Sequence, residues 1–350
     1  MAVSAIDAPT PLKGGALILA GFLLAVGNFM VVLDMTIANV SVPTIAGGLA
    51  VSPNQGTWVI TSYSVAEAVV VPLTGWLAQR FGAVRVFLFG LIGFGLCSAM
   101  CGLAPSLGAL VAFRVLQGLC GGPIMPMSQT LMMRIFPPHQ QGQAMGIWAM
   151  TTVVAPIAGP ILGGTICDTV GWSWIFLINV PVAAACAFFA WRALAGQETA
   201  TEKRRVDVVG LGLLITFVGA LQIMLDKGKE LDWFSSPTII GLAVIAVIGF
   251  AAFLIWELTD ANPIVDLRIF RYRGFTSSVI TISLTFGAFF SSIVLIPLWL
   301  QSNMGYTATW AGYATAFGGV LAVVASPIVG RFVGRVDGRY MVTFGVLWLA

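Results

Sequence analysis

The chain has 350 residues, 58% of them hydrophobic and 9% charged, with a formal net charge of +3. Both fractions lie far from those of soluble domains, and no polar stretch is long enough to build one. So small a positive charge gives no reason to invoke nucleic acid.

Apolar runs of about 20 residues recur along the whole length, each able to cross a hydrocarbon core of about 30 Å as a helix. Lipid offers no hydrogen bonds, so each run must satisfy its own backbone as a helix. The predicted spans are Gly14–Ala46, Thr57–Ala78, Val84–Leu103, Leu107–Met133, Ala144–Ile166 and Trp174–Ala195. Two more follow at Val208–Leu225 and Thr238–Leu258, then Phe275–Leu300, Thr309–Val329 and a last one opening near Tyr340. The first run is too long for the apolar part of a cleavable signal peptide, and the first ten residues carry no basic group. The expected class is an all-α polytopic membrane protein.

Basic residues give the orientation. With the N-terminus in the cytoplasm, that side receives Lys13, Arg80, Arg85, Arg134, Arg192, Lys203, Arg204, Arg205, Arg268, Arg271, Arg273, Arg331, Arg335 and Arg339. The other side receives Lys227 and Lys229, and Arg114 stays within a span. This asymmetry follows the positive-inside rule and supports both the span count and a cytoplasmic N-terminus. The five cysteines show no metal-site spacing and read as small buried hydrophobes; the single histidine, His139, follows "FPP" in a loop. No HExxH, GxSxG or Walker A pattern occurs, so hydrolytic and ATP-driven chemistry lose support. No catalytic residue, metal or cofactor is expected.

A repeat runs through the chain. "PLTGWLAQRFG" from Pro72 and "PIVGRFVGRVDG" from Pro327 share P-x-x-G-x-x-x-x-R, with Pro72, Gly75 and Arg80 each matched 255 residues later by Pro327, Gly330 and Arg335. Two-fold repeats of helix bundles characterise secondary transporters. On that plan a second bundle would continue beyond Ala350, and the chain alone would be unable to carry out vectorial transport.

Three ionisable residues lie deep inside predicted spans: Asp34, Glu67 and Arg114. Each costs about 2.5–3.5 kcal/mol on insertion scales, so partners or a watery cavity are required. At 1.5 Å per residue, Asp34 and Arg114 lie about 16 Å and 12 Å from the outer face, near enough in depth to pair. Two readings stand: a static ion pair that fixes helix packing, or a carboxylate that exchanges protons while the arginine keeps its charge. Glu67 lies at or somewhat below the depth of Asp34. Asn39, Gln117 and Met125 are expected along a substrate cavity, the last from the Met-rich "IMPM". Segment five, "VVAPIAGPILGGTI", concentrates Pro156, Gly159, Pro160, Gly163 and Gly164. That density permits close backbone approach and local bending, and Gly159 and Gly163 share one face at i, i+4 spacing.

The motifs together carry a resemblance. "LDMTIANVSVP", "GWLAQRFGAVR", "RVLQGLCGGP", "APIAGPILGG", "WSWIFLINVP" and "GYTATWAG" resemble the major facilitator superfamily, in particular its fourteen-helix drug:proton antiporters of the EmrB/QacA type. The resemblance covers essentially the whole chain. It implies two pseudo-symmetric six-helix bundles with an inserted helix pair, of which this chain would hold roughly ten and a half spans. The expected division is a first bundle over 14–195, a cytoplasmic linker over 196–207, the inserted pair over 208–258, and the start of the second bundle over 275–350. It further implies proton coupling at Asp34 and Arg114, with Glu67 as a further candidate. Conformational gating would fall to Gly75, Arg80, Gly82 and Arg85 and to the Pro and Gly residues of segment five. The implied activity is proton-driven export of amphipathic or hydrophobic compounds across a bacterial inner membrane. An EmrA-like periplasmic adaptor and a TolC-like outer-membrane channel would be the partners. Two positions depart from the loop pattern: Gln79 stands where an acid is usual and Val84 where a base is usual. An importer of the same superfamily and a non-transporting membrane scaffold remain as alternatives.

Overall fold

The computed structural model describes residues 12–202, 206–261, 263–306 and 336–349, with isolated positions between 310 and 332. Among the described residues, nine helices are long and apolar enough to cross a membrane. In chain order they are α1 (Gly14–Gly48), α2 (Pro53–Phe81), α3 (Ala83–Gly102), α4 (Leu107–Ile135), α5 (Pro138–Thr169), α6 (Trp174–Ala193), α7 (Val208–Lys227) and α8 (Pro237–Thr259). Then come α9 (Arg273–Met304) and a shorter α10 (Gly338–Leu349). The predicted spans up to Leu300 each fall on one of these helices. The span predicted at 309–329 and the second repeat copy, Pro327, Gly330 and Arg335, lie outside the described residues.

Local chemistry sets the helix ends. A reciprocal Ser52–Gln55 capping box opens α2. Pro72 turns its helix into a short 3-10 stretch at Val71–Leu73, because proline withholds the amide that the regular ladder needs. Ser106 caps α4, which is interrupted at Gly122–Pro123 before resuming at Ile124. Pro138 and Pro237 stand in the first turns of α5 and α8, where no intrahelical donor is lost. Asp207 caps α7 by accepting from the Gly210 amide at 2.9 Å.

Helices α1 to α6 pack around α1, whose principal neighbours are α5 and α6. Two apolar clusters fill the bundle. One takes α1 from Leu17 to Val31 with Phe87, Leu91 and Phe94 of α3, Ile124 to Ile135 of α4, and Ala183 to Ala190 of α6. The other takes α1 from Leu33 to Ile45 with Cys101, Leu110, Ile175 and Phe176. Helices α7 and α8 form an antiparallel pair stitched by Phe217 against Phe250 and Phe253, with ring centroids 5.4 and 5.1 Å apart. Gly249 lets α8 approach Phe217: a Cβ there would lie 3.0 Å from the Phe217 Cβ.

The inserted pair docks along α2. Lys227 is buried, donates to Thr57 Oγ1 at 2.7 Å, and lies 5.1 Å from the Trp58 ring centroid. The neighbouring Asp226 accepts from the Thr61 hydroxyl. Lys227, assigned from the sequence to the outer side, ends α7 and closes an interface with α2. The apolar stretch of α9 buries none of its residues against the described chain. All five cysteines are free, and Cys97, Cys101 and Cys186 are buried.

Candidate functional site

Charge placed inside a helical bundle must find compensation nearby. Asp34 and Arg114 find each other: Arg114 Nη1 lies 2.6 Å from Asp34 Oδ2, with 0% and 1% of the two side chains exposed. The same nitrogen donates to Gln117 Oε1 at 2.8 Å, and Arg114 Nε donates to the Val59 carbonyl at 3.0 Å. The second carboxylate oxygen, Asp34 Oδ1, accepts from Asn179 Nδ2 at 2.7 Å and Gln117 Nε2 at 3.3 Å. Ser98 closes the ring. Its hydroxyl accepts from both amides, at 3.2 and 3.1 Å, and donates to the Phe176 carbonyl at 2.8 Å. Below the guanidinium lies the Tyr63 ring, 4.2 Å from centroid to Cζ, with Phe176 at 5.4 Å.

This hub draws on five helices: α1 (Asp34), α2 (Val59, Tyr63), α3 (Ser98), α4 (Arg114, Gln117) and α6 (Phe176, Asn179). On α3, α4 and α6 the polar side chains fall where one apolar cluster gives way to the other: Ser98 lies between Phe94 and Cys101, Arg114 and Gln117 between Leu110 and Ile124, and Asn179 between Phe176 and Ala183. On α1, Asp34 lies just inside the second cluster, after Val31 and Leu33. The hub thus forms a polar layer at the junction of the two apolar clusters. The contacts described for the carboxylate are all donors, an arrangement suited to an anion. Two groups of the layer, Arg114 Nη2 and the Tyr63 hydroxyl, make no hydrogen bond among the described residues.

Gln117, expected along a substrate cavity, has no exposed surface and is committed to the hub at both ends of its amide. Asn39 is exposed on α1, and Met125 is half-buried against the first apolar cluster. Glu67 lies one turn beyond Tyr63, is half-buried, and joins no hydrogen bond of the hub. The hub also contains Ser98 and Asn179, neutral residues that sequence reading passed over. Their signal was present, since an uncharged polar side chain in an apolar span needs a partner across helices.

Segment five packs on α1 beside the hub. A Cβ on Gly159 would run into the Thr36 side chain, and one on Gly163 would lie 3.2 Å from the Ile37 carbonyl. Thr36 also donates to the Ala155 carbonyl at 3.3 Å. The small-residue face expected at i, i+4 spacing thus exists, and what it seals against is α1 of its own bundle. Pro156 is buried on that face, Pro160 is exposed, and a Cβ on Gly164 would meet nothing within 4 Å. A second tie joins the same two helices: the buried Asn28 donates to Thr151 and Thr152 at 2.8 and 3.0 Å. At the α2–α3 turn, Gly75 is exposed, Arg80 is half-buried in the last turn of α2, and Arg85 is exposed in the first turn of α3. Gly82 joins the two helices at φ +96°, a conformation open to glycine at little cost.

Comparison with known proteins gives one consistent answer. The Major Facilitator Superfamily family model matches residues 24–350. Multidrug export protein EmrB of Escherichia coli (strain K12) is 52% identical over 340 residues, 97% of this chain and 66% of EmrB. Fatty acid resistance protein FarB of Neisseria gonorrhoeae is 50% identical, over 97% of this chain and 67% of FarB. The chain thus spans about two thirds of the length of these curated relatives. Among solved structures, a peptide transporter POT bound to sulfate superposes with a TM-score of 0.61 at 15% identity, over 97% of this chain and 73% of that one. The proton:xylose symporter XylE superposes with a TM-score of 0.56 at 13% identity, over 89% and 68%. At these identities the two structures speak for the fold alone. The chain is thus a multi-pass membrane protein that belongs to the major facilitator superfamily.

Proposed function

We propose that the chain supplies the first bundle, the inserted pair and the beginning of the second bundle of a proton-driven antiporter that exports amphipathic or hydrophobic compounds. The observation that carries this reading is the Asp34 carboxylate, buried and held by donors from α4 and α6. Anionic Asp34 satisfies Arg114, Gln117 and Asn179 together. A proton arriving on it would neutralise the charge and set an O–H against groups that also donate. The new O–H finds no acceptor among these donors and Arg114 loses its counter-charge, which loosens α1 from α4 or α6. Breaking one side of a buried pair costs about 3–5 kcal/mol, enough to drive a change of packing. Proton entry and helix movement are thereby joined at one side chain.

Alternating access moves one bundle against the other around a site near the midplane. Glu67, one turn from Tyr63, is a candidate for a second proton carrier, and Asn39 and Met125 for contact with substrate. Gly75, Arg80, Gly82 and Arg85, with Pro156, Gly159, Pro160, Gly163 and Gly164, are the proposed gating elements. The basic residues support a cytoplasmic N-terminus. The likeness to the multidrug export relatives supports drug-like substrates and a bacterial inner membrane. An EmrA-like adaptor and a TolC-like channel would then complete the route outward.

The test is reconstitution of the chain, completed to the length of its relatives, in vesicles carrying an imposed pH gradient. Substrate-dependent proton release that disappears in Asp34→Asn is expected. Export that runs undiminished with the gradient collapsed would exclude proton coupling.

A further inference from the structure

Helix α3 starts at a glycine. Gly82 has no side chain with which to cap the helix, and the first intrahelical donor is Val86, whose amide reaches the Gly82 carbonyl at 3.0 Å. Three amides are left without intrahelical partners: Ala83, Val84 and Arg85. All three are taken by two residues more than a hundred positions away. Thr199 Oγ1 accepts from the Ala83 amide at 2.9 Å, Glu198 Oε1 from Val84 at 3.0 Å, and Glu198 Oε2 from Arg85 at 3.1 Å. The carboxylate thus spans the N-terminus of α3, where aligned peptide dipoles favour negative charge.

The approach requires glycine at position 82 for a second reason besides its φ. A Cβ there would fall inside the Glu198 carboxyl group. The linker is held at two further points. The Glu202 amide donates to the Gln79 carbonyl, one of the last acceptors of α2, at 2.8 Å, and Arg134 at the end of α4 donates to the Glu198 carbonyl at 3.2 Å. Residues 198–202 therefore bind the ends of α2, α3 and α4 together. The Arg85 side chain adds little: its Nε lies 3.8 Å from Glu198 and it is 64% exposed, where solvent screens the attraction. The backbone amides do the holding.

We propose that Glu198 is a positioning residue for transport, the carboxylate by which the linker leaving the first bundle fixes the α2–α3 turn. It deepens the proposed function, since the turn is one of the proposed gating elements. Within the turn, position 79 is a glutamine; the anion arrives from the linker. A linker docked in this way transmits any pull from the helices beyond it to the start of α3.

The experiment compares Glu198→Ala, Glu198→Asp and Thr199→Ala with the parent, in the chain completed to the length of its relatives. Amide hydrogen exchange is read by mass spectrometry over the peptide 82–90, and export is read in vesicles. Glu198→Ala is expected to speed exchange at Val84 and Arg85 at least tenfold, to leave the later amides of α3 protected, and to cut export several-fold. Thr199→Ala should free Ala83 alone. Glu198→Asp keeps the charge one methylene short and should fall between. Unchanged exchange in Glu198→Ala overturns the capping role. Fast exchange with parental export overturns the positioning role. Absence of proton-coupled export from the parent would instead remove the proposed function, and the exchange readout would still decide the cap.

Discussion

Tyr63 lies under Arg114 with its ring centroid 4.2 Å from the guanidinium carbon, and among the described residues neither its phenol nor Arg114 Nη2 has a hydrogen-bond partner. The guanidinium is therefore held by one carboxylate, one amide, one carbonyl and an aromatic face. A planar group suits all four, and a point charge does not. Arg114→Lys should keep the charge yet lose the Val59 tie and the stacking, and export should fall at least tenfold. Full activity in Arg114→Lys, measured as substrate-driven proton release, would reduce the role of Arg114 to charge alone.

Asp34→Asn preserves shape and removes the titratable group. Insertion should be unaffected, because each span satisfies its own backbone. The new amide nitrogen would face donors, and an unsatisfied buried group costs about 1–3 kcal/mol, so thermal stability should drop modestly. Export should fall to background. Near-normal drug resistance in cells carrying this variant would sink the coupling role.

Asn179→Ala removes a donor to Asp34 and a partner of Ser98 without touching the ion pair. The expected loss is about 1–3 kcal/mol from the groups left unpaired, seen as a lower melting temperature of the purified protein. Ser98→Ala should act through the same groups, so the double variant should cost less than the sum of the two single ones. Simple additivity in a double-mutant cycle would mean that the two side chains do not belong to one network.

Gly159→Ala and Gly164→Ala make an internal comparison on one helix. The first places a methyl against Thr36, and overpacking of this kind costs about 1–3 kcal/mol. The second adds its methyl where nothing lies within 4 Å. Transport and stability should suffer in the first and stay near parental in the second. Equal behaviour of the two variants would show that the α1–α5 seam is looser than its geometry.

The spans and the Asp34–Arg114 pair were legible in the sequence because both depend on one dominant cost, that of placing charge or open backbone in lipid. Matching depths along two helices were enough to suggest the partners. Ser98, Asn179 and the true place of Gln117 were not legible, since neutral polar residues carry a smaller penalty and give no sign of which helix supplies the partner. Gly159 and Gly163 announced a close approach without saying to what; α1 emerged only from the packing. Gly82 entered through its match to the loop motif, while its contact with Glu198 joins residues more than a hundred positions apart. The burial of Lys227 was not legible, because a basic residue near a helix end looks the same whether it faces solvent or locks an interface.

Helix α7 is fastened to the first bundle at its C-terminal end, and the linker ahead of it is clamped as well. At one end, Asp226 and Lys227 grip the start of α2 through Thr61 and Thr57. At the other, the chain entering α7 is clamped by Glu198, Thr199 and Glu202. Since α8 packs on α7, both helices of the pair are expected to move with the first bundle. On the proposed function, the rocking of a second bundle would fall on the 13 residues between Thr259 and Arg273, which hold a short 3-10 turn at Leu267–Arg271, and that segment would act as the crank. Spin labels on α2 and α8 should keep one distance across the transport cycle, while labels on α8 and α9 should show two.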